Sequence, residues 1–351
     1  MHGRLGPTTD DLTTECVAEL LGVPLERDAP SLEAIRTRME RFGRSMAPSN
    51  AKQADFPRGA QVLPNRYGTA PGFSVRIGRA LAFFLPGVPR EMQGLFNEYI
   101  AAAARALVNE HVHQVVLRCF GMTESAINDR LAGIAERHAV TIGYRAHYPE
   151  IEVKLLARAA DAHAAEAHAR AAADEVRARL GSDVIYGEGK PALPEVVGAL
   201  LSERKLKLGL AESCTGGLVS TWLTDQPGSS AYFEGAAIVY SNALKQSLLG
   251  VPSALLEQHG AVSPEVARSM AEQALTRLGV EVSLSLTGVA GPAGGTAEKP
   301  VGLVHFAVAT ASGVSSGRIQ FPGSREQVRK IAAYAGLALV RRVLLHGHTE
   351  S

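Results

Sequence analysis

Apolar and polar positions alternate along residues 205–210, with Leu206, Leu208 and Leu210 set between Lys205, Lys207 and Gly209. A period of two predicts a strand with one face toward a core. After a Ser213-Cys214-Thr215-Gly216-Gly217 turn, apolar residues at Leu218, Val219, Trp222 and Leu223 predict the first turns of a helix. The same alternation continues to the end of the chain. "GAAIVYSNALKQSLLG" predicts a strand ending near Tyr240 and a short helix. "AVSPEVARSMAEQALTRLG" predicts a helix with Ser263 as N-cap, Pro264 in its first position, and Val266, Met270, Leu275 and Leu278 on one face. "VSLSLTGVAGPAGG" reads as a strand running into a glycine loop, "VGLVHFAVAT" as a strand, and "SREQVRKIAAYAGLALVRRVL" as a closing helix.

The part of the chain that precedes this alternates in the same way. A Gly-Pro-Thr-Thr turn over residues 6–9 leads into a helix, and two helices follow, split at residues 22–24 and restarted with Ser31 as N-cap. Residues 52–73 read as a loop, and residues 80–100 as a strand, a proline-glycine turn and a helix. Residues 113–136 give a strand and a helix capped by Thr123 or Ser125, and residues 140–159 two strands about Tyr148-Pro149. An alanine-rich helix ends at Gly181, a short strand falls at 183–187, and the best linker is 187–191. The predicted class is α/β, in three domains at 1–110, 111–188 and 189–351, the second a small α+β module.

Composition narrows the function. With 46% apolar and 20% charged residues the chain is globular, and a net charge of +1 makes no electrostatic case for nucleic acid. No apolar run approaches the length that spans a bilayer and no secretory signal opens the chain, so a cytoplasmic enzyme is expected. Cys16, Cys119 and Cys214 lie far apart, which suggests neither a disulfide framework nor a zinc site. Cys214 is either a nucleophile or a small buried residue. His111 and His113 share a strand face but lack a third ligand, and read as surface residues.

Ser213, Tyr240 and Lys245 each fall at or just past the end of a predicted strand, where open α/β sheets build their clefts. Serine needs a base, and no histidine lies in a comparable turn, which leaves Lys245 if its pKa is depressed. Tyr240 is placed to pass the proton. The blander readings stand beside this one: Ser213 as a helix cap, Tyr240 as a strand tyrosine, Lys245 as a solvated residue. The helix mouth at Thr215, Gly216 and Gly217 is either a plain turn or a site for an anion or oxyanion. The glycine loop, with Gly291, Gly294, Gly295 and Thr296, matches neither a Walker A loop nor a dinucleotide fingerprint, and is either a flexible turn or a phosphate site. Arg325 and Arg329, one helical turn apart, are placed to reach the same phosphate.

"AESCTGG", "YSNALK", "HGAVSPEV", "TGVAGPAGGTAEKPVG" and "FPGSREQVR", in that order, resemble the C-terminal domain of the competence/damage-inducible CinA family, a nicotinamide-nucleotide amidohydrolase. "GPTTDDLT", "NAKQADFPRGAQVLPN", "GTAPGF" and "LPGVPREM" resemble its N-terminal domain, of molybdopterin-binding fold, and "FGMTESAINDRL" its connecting domain. The resemblance implies a three-layer α/β amidohydrolase domain at the C-terminus, behind a remnant of the molybdopterin-binding-like domain. It implies hydrolysis of the carboxamide of nicotinamide mononucleotide (NMN) to nicotinate mononucleotide and ammonia, in pyridine nucleotide recycling, without a cofactor. Ser213 is then the nucleophile, Lys245 its base and Tyr240 the relay, with backbone amides around 213–217 and Ser230 at the oxyanion. In the family a strand and a glycine-containing loop precede the "GPT" turn, and they are absent here. The metal-dependent ADP-ribose pyrophosphatase activity that the resemblance implies for the N-terminal domain, with Asp10 and Asp11 in its acidic loop, is therefore expected to be lost or weak. A homodimer that binds neither membrane nor nucleic acid is expected, the middle module, compared with K-homology modules, serving as spacer or dimerisation element. The rivals are the pyrophosphatase itself and a non-enzymatic accessory of competence or DNA damage.

Overall fold

A computed structural model describes residues 5, 6, 8, 10–108 and 110–348, so Pro7 and Thr9 of the expected opening turn lie outside the described residues. The chain divides into two compact units, Met1–Asn109 and Glu110–Ser351. Among the described residues no helix is long and apolar enough to cross a membrane.

The first unit runs α1 (Thr13–Leu21), β1 (Leu25–Arg27), α2 (Ala29–Arg41), β2 (Asp55–Pro57), β3 (Gln61–Leu63), β4 (Gly72–Ile77), β5 (Ala80–Phe84), α3 (Pro89–Leu95) and α4 (Ala101–Ala106). The N-cap of α2 is Asp28, whose carboxylate accepts from the Ser31 amide; Ser31 itself lies inside the helix. The stretch expected to be a loop contains β2 and β3, short antiparallel strands paired with β1 and β4. They escape a periodicity reading because three residues hold only one repeat of the pattern. Phe56, Phe73 and Phe84 pack into the core of this unit, Phe73 stacked on Phe84 and tilted against Phe56.

The second unit opens with β6 (His111–Cys119), α5 (Glu124–Arg130), α6 (Ile134–His138), β7 (Val140–His147), β8 (Glu150–Ala159), α7 (Ala162–Leu180) and β9 (Ile185–Glu188). Its sheet has the order β7-β8-β6-β9, all antiparallel, with the alanine face of α7 buried against it. Thr123 caps α5, accepting from the Ala126 amide. A groove of about 590 Å³ beside α5, α6 and β7 is lined by Asn128, Asp129 and Glu136 and by no Lys or Arg. The stretch expected to be a linker is held fast, since the Arg118 guanidinium donates to the carbonyls of Gly189 and Lys190.

The remainder comprises α8 (Leu193–Glu203), β10 (Leu208–Glu212), α9 (Leu218–Thr224), β11 (Phe233–Ile238), α10 (Asn242–Leu244), α11 (Ser253–His259), α12 (Pro264–Leu278), β12 (Val282–Gly288), β13 (Leu303–Thr310), β14 (Gly313–Gln320) and α13 (Arg325–His346). Its sheet has the order β11-β10-β12-β13-β14; the first three strands are parallel and the last two antiparallel. Helices α8, α9 and α13 cover one face and α11 and α12 the other, which gives three layers. Strand β10 is therefore buried on both faces instead of the one its alternation predicted.

Strand β12 shows how the layers meet. Leu284 and Leu286 point to the α13 side, while the buried hydroxyls of Ser283 and Ser285 donate to the carbonyls of Ala271 and Ala267 on α12, and Thr287 to that of Ala261. Small side chains at Ala267 and Ala271 permit this close approach. Ser285→Val would overfill that seam and orphan its hydrogen bond, so we expect a loss of about 1–3 kcal/mol, read as a lower urea midpoint at unchanged slope.

Candidate active site

Parallel strands β10, β11 and β12 end side by side, and their C-terminal ends form a pocket of about 180 Å³. It is lined by Ser213 and Cys214 after β10, Tyr240, Asn242 and Lys245 after β11, Thr287, Gly288 and Ala290 at the end of β12, Ala261 and Val262, and Arg325. No histidine is among them. The structure thus brings Ser213, Tyr240 and Lys245 to one place from a sequence span of more than thirty residues.

Lys245 is 1% exposed, and its Nζ lies 3.0 Å from Ser213 Oγ, 3.1 Å from the Val239 carbonyl and 3.5 Å from the Tyr240 carbonyl. It opens a π-helical turn, Lys245–Leu249, that follows directly on α10. Burial disfavours the ammonium and holds the Lys245 pKa below the ordinary 10.5. Once neutral, the amine has two hydrogens for the two carbonyls and one lone pair for the serine hydroxyl. Cys214 is the opposite case: buried in the apolar core, its thiol is pushed up to about 12 and is no nucleophile at neutral pH.

Tyr240 does not stand between Lys245 and Ser213. Its side chain is 58% exposed at the pocket mouth, and its hydroxyl accepts from Arg325 at 2.8 Å. The relay expected of it is replaced by the direct Lys245–Ser213 contact, and Tyr240 serves Lys245 through its backbone carbonyl.

The helix mouth also differs from expectation. Gly216 and Gly217 take positive φ, +57° and +91°, which is why glycine is needed there. The amides beyond them face a carboxylate of the chain itself. Glu212, fully buried, accepts from the amides of Gly217 (3.0 Å), Val219 (3.3 Å) and Ser220 (2.9 Å) and from the Ser220 hydroxyl. The N-terminus of α9 is thus capped from inside and takes no outside anion. Gly216 N–H donates to Ser213 O, so the amides of Cys214 and Thr215 remain, bonded to no other residue among those described. Glu212 went unrecognised in the sequence; its one signal is an acidic residue closing an apolar strand six positions ahead of a helix.

Other expected groups are placed elsewhere. Ser230 precedes β11 and its carbonyl accepts from Lys207; because β10 and β11 are parallel, it stands at the end of the sheet opposite Ser213, about five residues or ~16 Å away along the strand. Gly294, Gly295 and Thr296 are exposed and line no part of the pocket. Their loop folds back on itself, with the Thr296 hydroxyl accepting from the Lys299 amide and Lys299 Nζ donating to His259 O. Gly291 comes closer, but through its carbonyl, which accepts from Arg325 at 3.0 Å. Arg329 does not join Arg325 at a common anion: two of its nitrogens donate to Thr215 O, at 2.6 and 3.2 Å, and so pin the turn over residues 213–217. Arg325 alone of the two lines the pocket.

In the first unit, burial works to raise the Asp11 pKa, but hydrogen bonds from the Thr8 hydroxyl and amide prevail and lower it. Asp10 also accepts from the Thr8 hydroxyl. Among the described residues no three His, Cys, Asp or Glu are grouped to hold a cation.

Three family models match the chain: a probable molybdopterin binding domain over residues 1–106, the damage-inducible protein CinA KH domain over 114–187, and the CinA C-terminal domain over 190–344. A CinA-like protein of Anaeromyxobacter dehalogenans (strain 2CP-C) is 46% identical over 347 residues, 98% of this chain and 84% of its own length. A CinA-like protein of Citrifermentans bemidjiense is 41% identical over 344 residues, 98% of this chain and 82% of its own. The crystal structure of the competence/damage inducible protein CihA from Agrobacterium tumefaciens aligns with 44% of this chain and 98% of its own, at 35% identity and a TM-score of 0.42.

Glu212→Ala would leave three helix amides and one hydroxyl unpaired in a dry site. We expect it to lower stability by about 3 kcal/mol or more in equilibrium unfolding, whereas Asn242→Ala, on the exposed rim, should change it by less than about 0.5 kcal/mol.

Proposed function

The chain belongs to the CinA family, and from that premise we propose that its C-terminal module is a serine amidohydrolase that converts NMN to nicotinate mononucleotide and ammonia. The observation that carries this reading is the 3.0 Å contact between Ser213 Oγ and the buried amine of Lys245. A serine hydroxyl becomes a nucleophile when a base accepts its proton, and a dry lysine is neutral often enough to be that base.

The steps follow from these groups. Ser213 Oγ attacks the carboxamide carbon as its proton passes to Lys245 Nζ. The resulting oxyanion faces the Cys214 and Thr215 amides. Collapse of the tetrahedral species breaks the C–N bond, and Lys245 returns the proton to the departing ammonia. Lys245 then takes a proton from water, hydroxide adds to the acyl ester, and Ser213 leaves with that proton restored. Nothing is oxidised or reduced, so no electron carrier is required.

A volume of about 180 Å³ suits one aromatic ring with its amide, not a whole nucleotide. The ribose phosphate then extends past Tyr240 to Arg325, the guanidinium at the mouth. The role in pyridine nucleotide recycling follows from the product. The pyrophosphatase reading of the first unit gains no support from the described residues around Asp10 and Asp11.

The test is ammonia release from NMN by the purified chain in the presence of EDTA. We expect release by the unaltered protein and a loss of at least about 10³-fold in both Ser213→Ala and Lys245→Met. Release that survives Ser213→Ala, or that EDTA abolishes, overturns the reading; no release from the unaltered chain favours a non-enzymatic role. The pH dependence has a fixed sign. Because only the neutral amine accepts a proton, kcat/KM should rise with pH and level off, with its midpoint below 10.5. Lys245→Arg, always charged, should be inactive at every pH.

A further inference from the structure

We propose that Tyr148, on the connecting module, is a positioning residue for the substrate-binding turn of the C-terminal module. This rests on the amidohydrolase reading and adds a residue from outside the catalytic sheet.

The first turn of α13 carries the groups that frame the pocket mouth and the nucleophile turn. Arg325 holds Tyr240 and Gly291, and Arg329 holds Thr215. Gln327 lies between them in sequence. Its amide and side chain form a capping box with Ser324, which fixes where the helix begins. Its carbonyl accepts, at 3.0 Å, from the hydroxyl of Tyr148, at the turn between β7 and β8. The Tyr148 ring packs on Phe321, just ahead of the helix, with centroids 5.5 Å apart. Tyr148 therefore grips the turn from both sides of its cap.

The hairpin that carries Tyr148 is itself fixed. Glu150, 6% exposed, accepts from Arg118, from Tyr186 and, at 3.1 Å, from Tyr334 on α13. Tyr334 also packs against Phe120 of the connecting module and edge-on against Trp222 of α9, the helix that follows the nucleophile turn. A buried carboxylate satisfied by three donors makes a stiff anchor. Tyr148 is 40% exposed and adds little to the core, so its removal tests position rather than folding.

In Tyr148→Ala we expect KM for NMN to rise about tenfold while kcat stays within about twofold, because Arg325 is loosened and the Ser213–Lys245 contact is not. Tyr148→Phe, which keeps the ring and loses the hydroxyl, should fall between. In an Arg325→Ala background, Tyr148→Ala should have no further effect, since it acts through that arginine. Hydrogen–deuterium exchange gives a readout independent of activity: amides 328–331 should exchange about tenfold faster in Tyr148→Ala. Faster exchange in a chain that releases no ammonia would overturn the amidohydrolase reading and leave the clamp standing. Unchanged exchange, an unchanged KM in an active chain, or equal losses with and without Arg325 would overturn the positioning role.

Discussion

A primary amine kept out of water beside a serine hydroxyl is the constraint on which the C-terminal module depends. Three strand ends, a π-helical turn and the segment before α12 close around Lys245, and the contacts they leave are two carbonyls and Ser213. Burying an ammonium is costly, and the protein meets that cost by favouring the neutral form. On the proposed amidohydrolase reading the same burial makes the amine a base, so that catalytic competence and the local stability penalty are one physical effect.

Around that amine the chain settles most of its charged and backbone groups internally. Glu212 takes the helix amides that would otherwise draw an anion to the turn after β10, and Arg329 takes that turn's carbonyl. What stays unpaired among the described residues is narrow: two amides beside Ser213 and the buried Thr215 hydroxyl, with Arg325 at the mouth held by Tyr240 and Gly291. Both charged residues that shape the site from outside the pocket lie on elements anchored elsewhere, Glu212 on a strand buried on both faces and Arg329 on the long helix α13. Preorganisation of this kind comes from the frame, which the hydroxyls of β12 and the Glu150 anchor hold in register.

Most of the long elements were legible in the sequence because each spans several repeats of its own period, whereas α8 and β14 were not read. Helices α12 and α13 and strands β8, β12 and β13 fall where the apolar pattern placed them and α7 where its alanines did, with Thr123 and Ser263 as caps. Strands β2 and β3 were not legible, since three residues carry too little pattern. Ser213 and Lys245 were found because both sit just past strand ends, a rule of topology and not of distance. Glu212, the outward turn of Tyr240, the placement of Ser230 and the commitment of Arg329 to a carbonyl were hidden. Each depends on which neighbour a polar group finds in three dimensions, and one-dimensional spacing does not record that.

The most direct test of the Ser213–Lys245 account is to trap the acyl-enzyme. Intact-mass spectrometry after rapid acid quench of the full chain with NMN should show a covalent adduct of the nicotinate mononucleotide acyl group, mapped by digestion to the peptide that holds Ser213, and absent in Ser213→Ala. Adding hydroxylamine before the quench should remove it. Ammonia release at full rate with no adduct on Ser213 under any quench, or an adduct on another residue, would contradict the account.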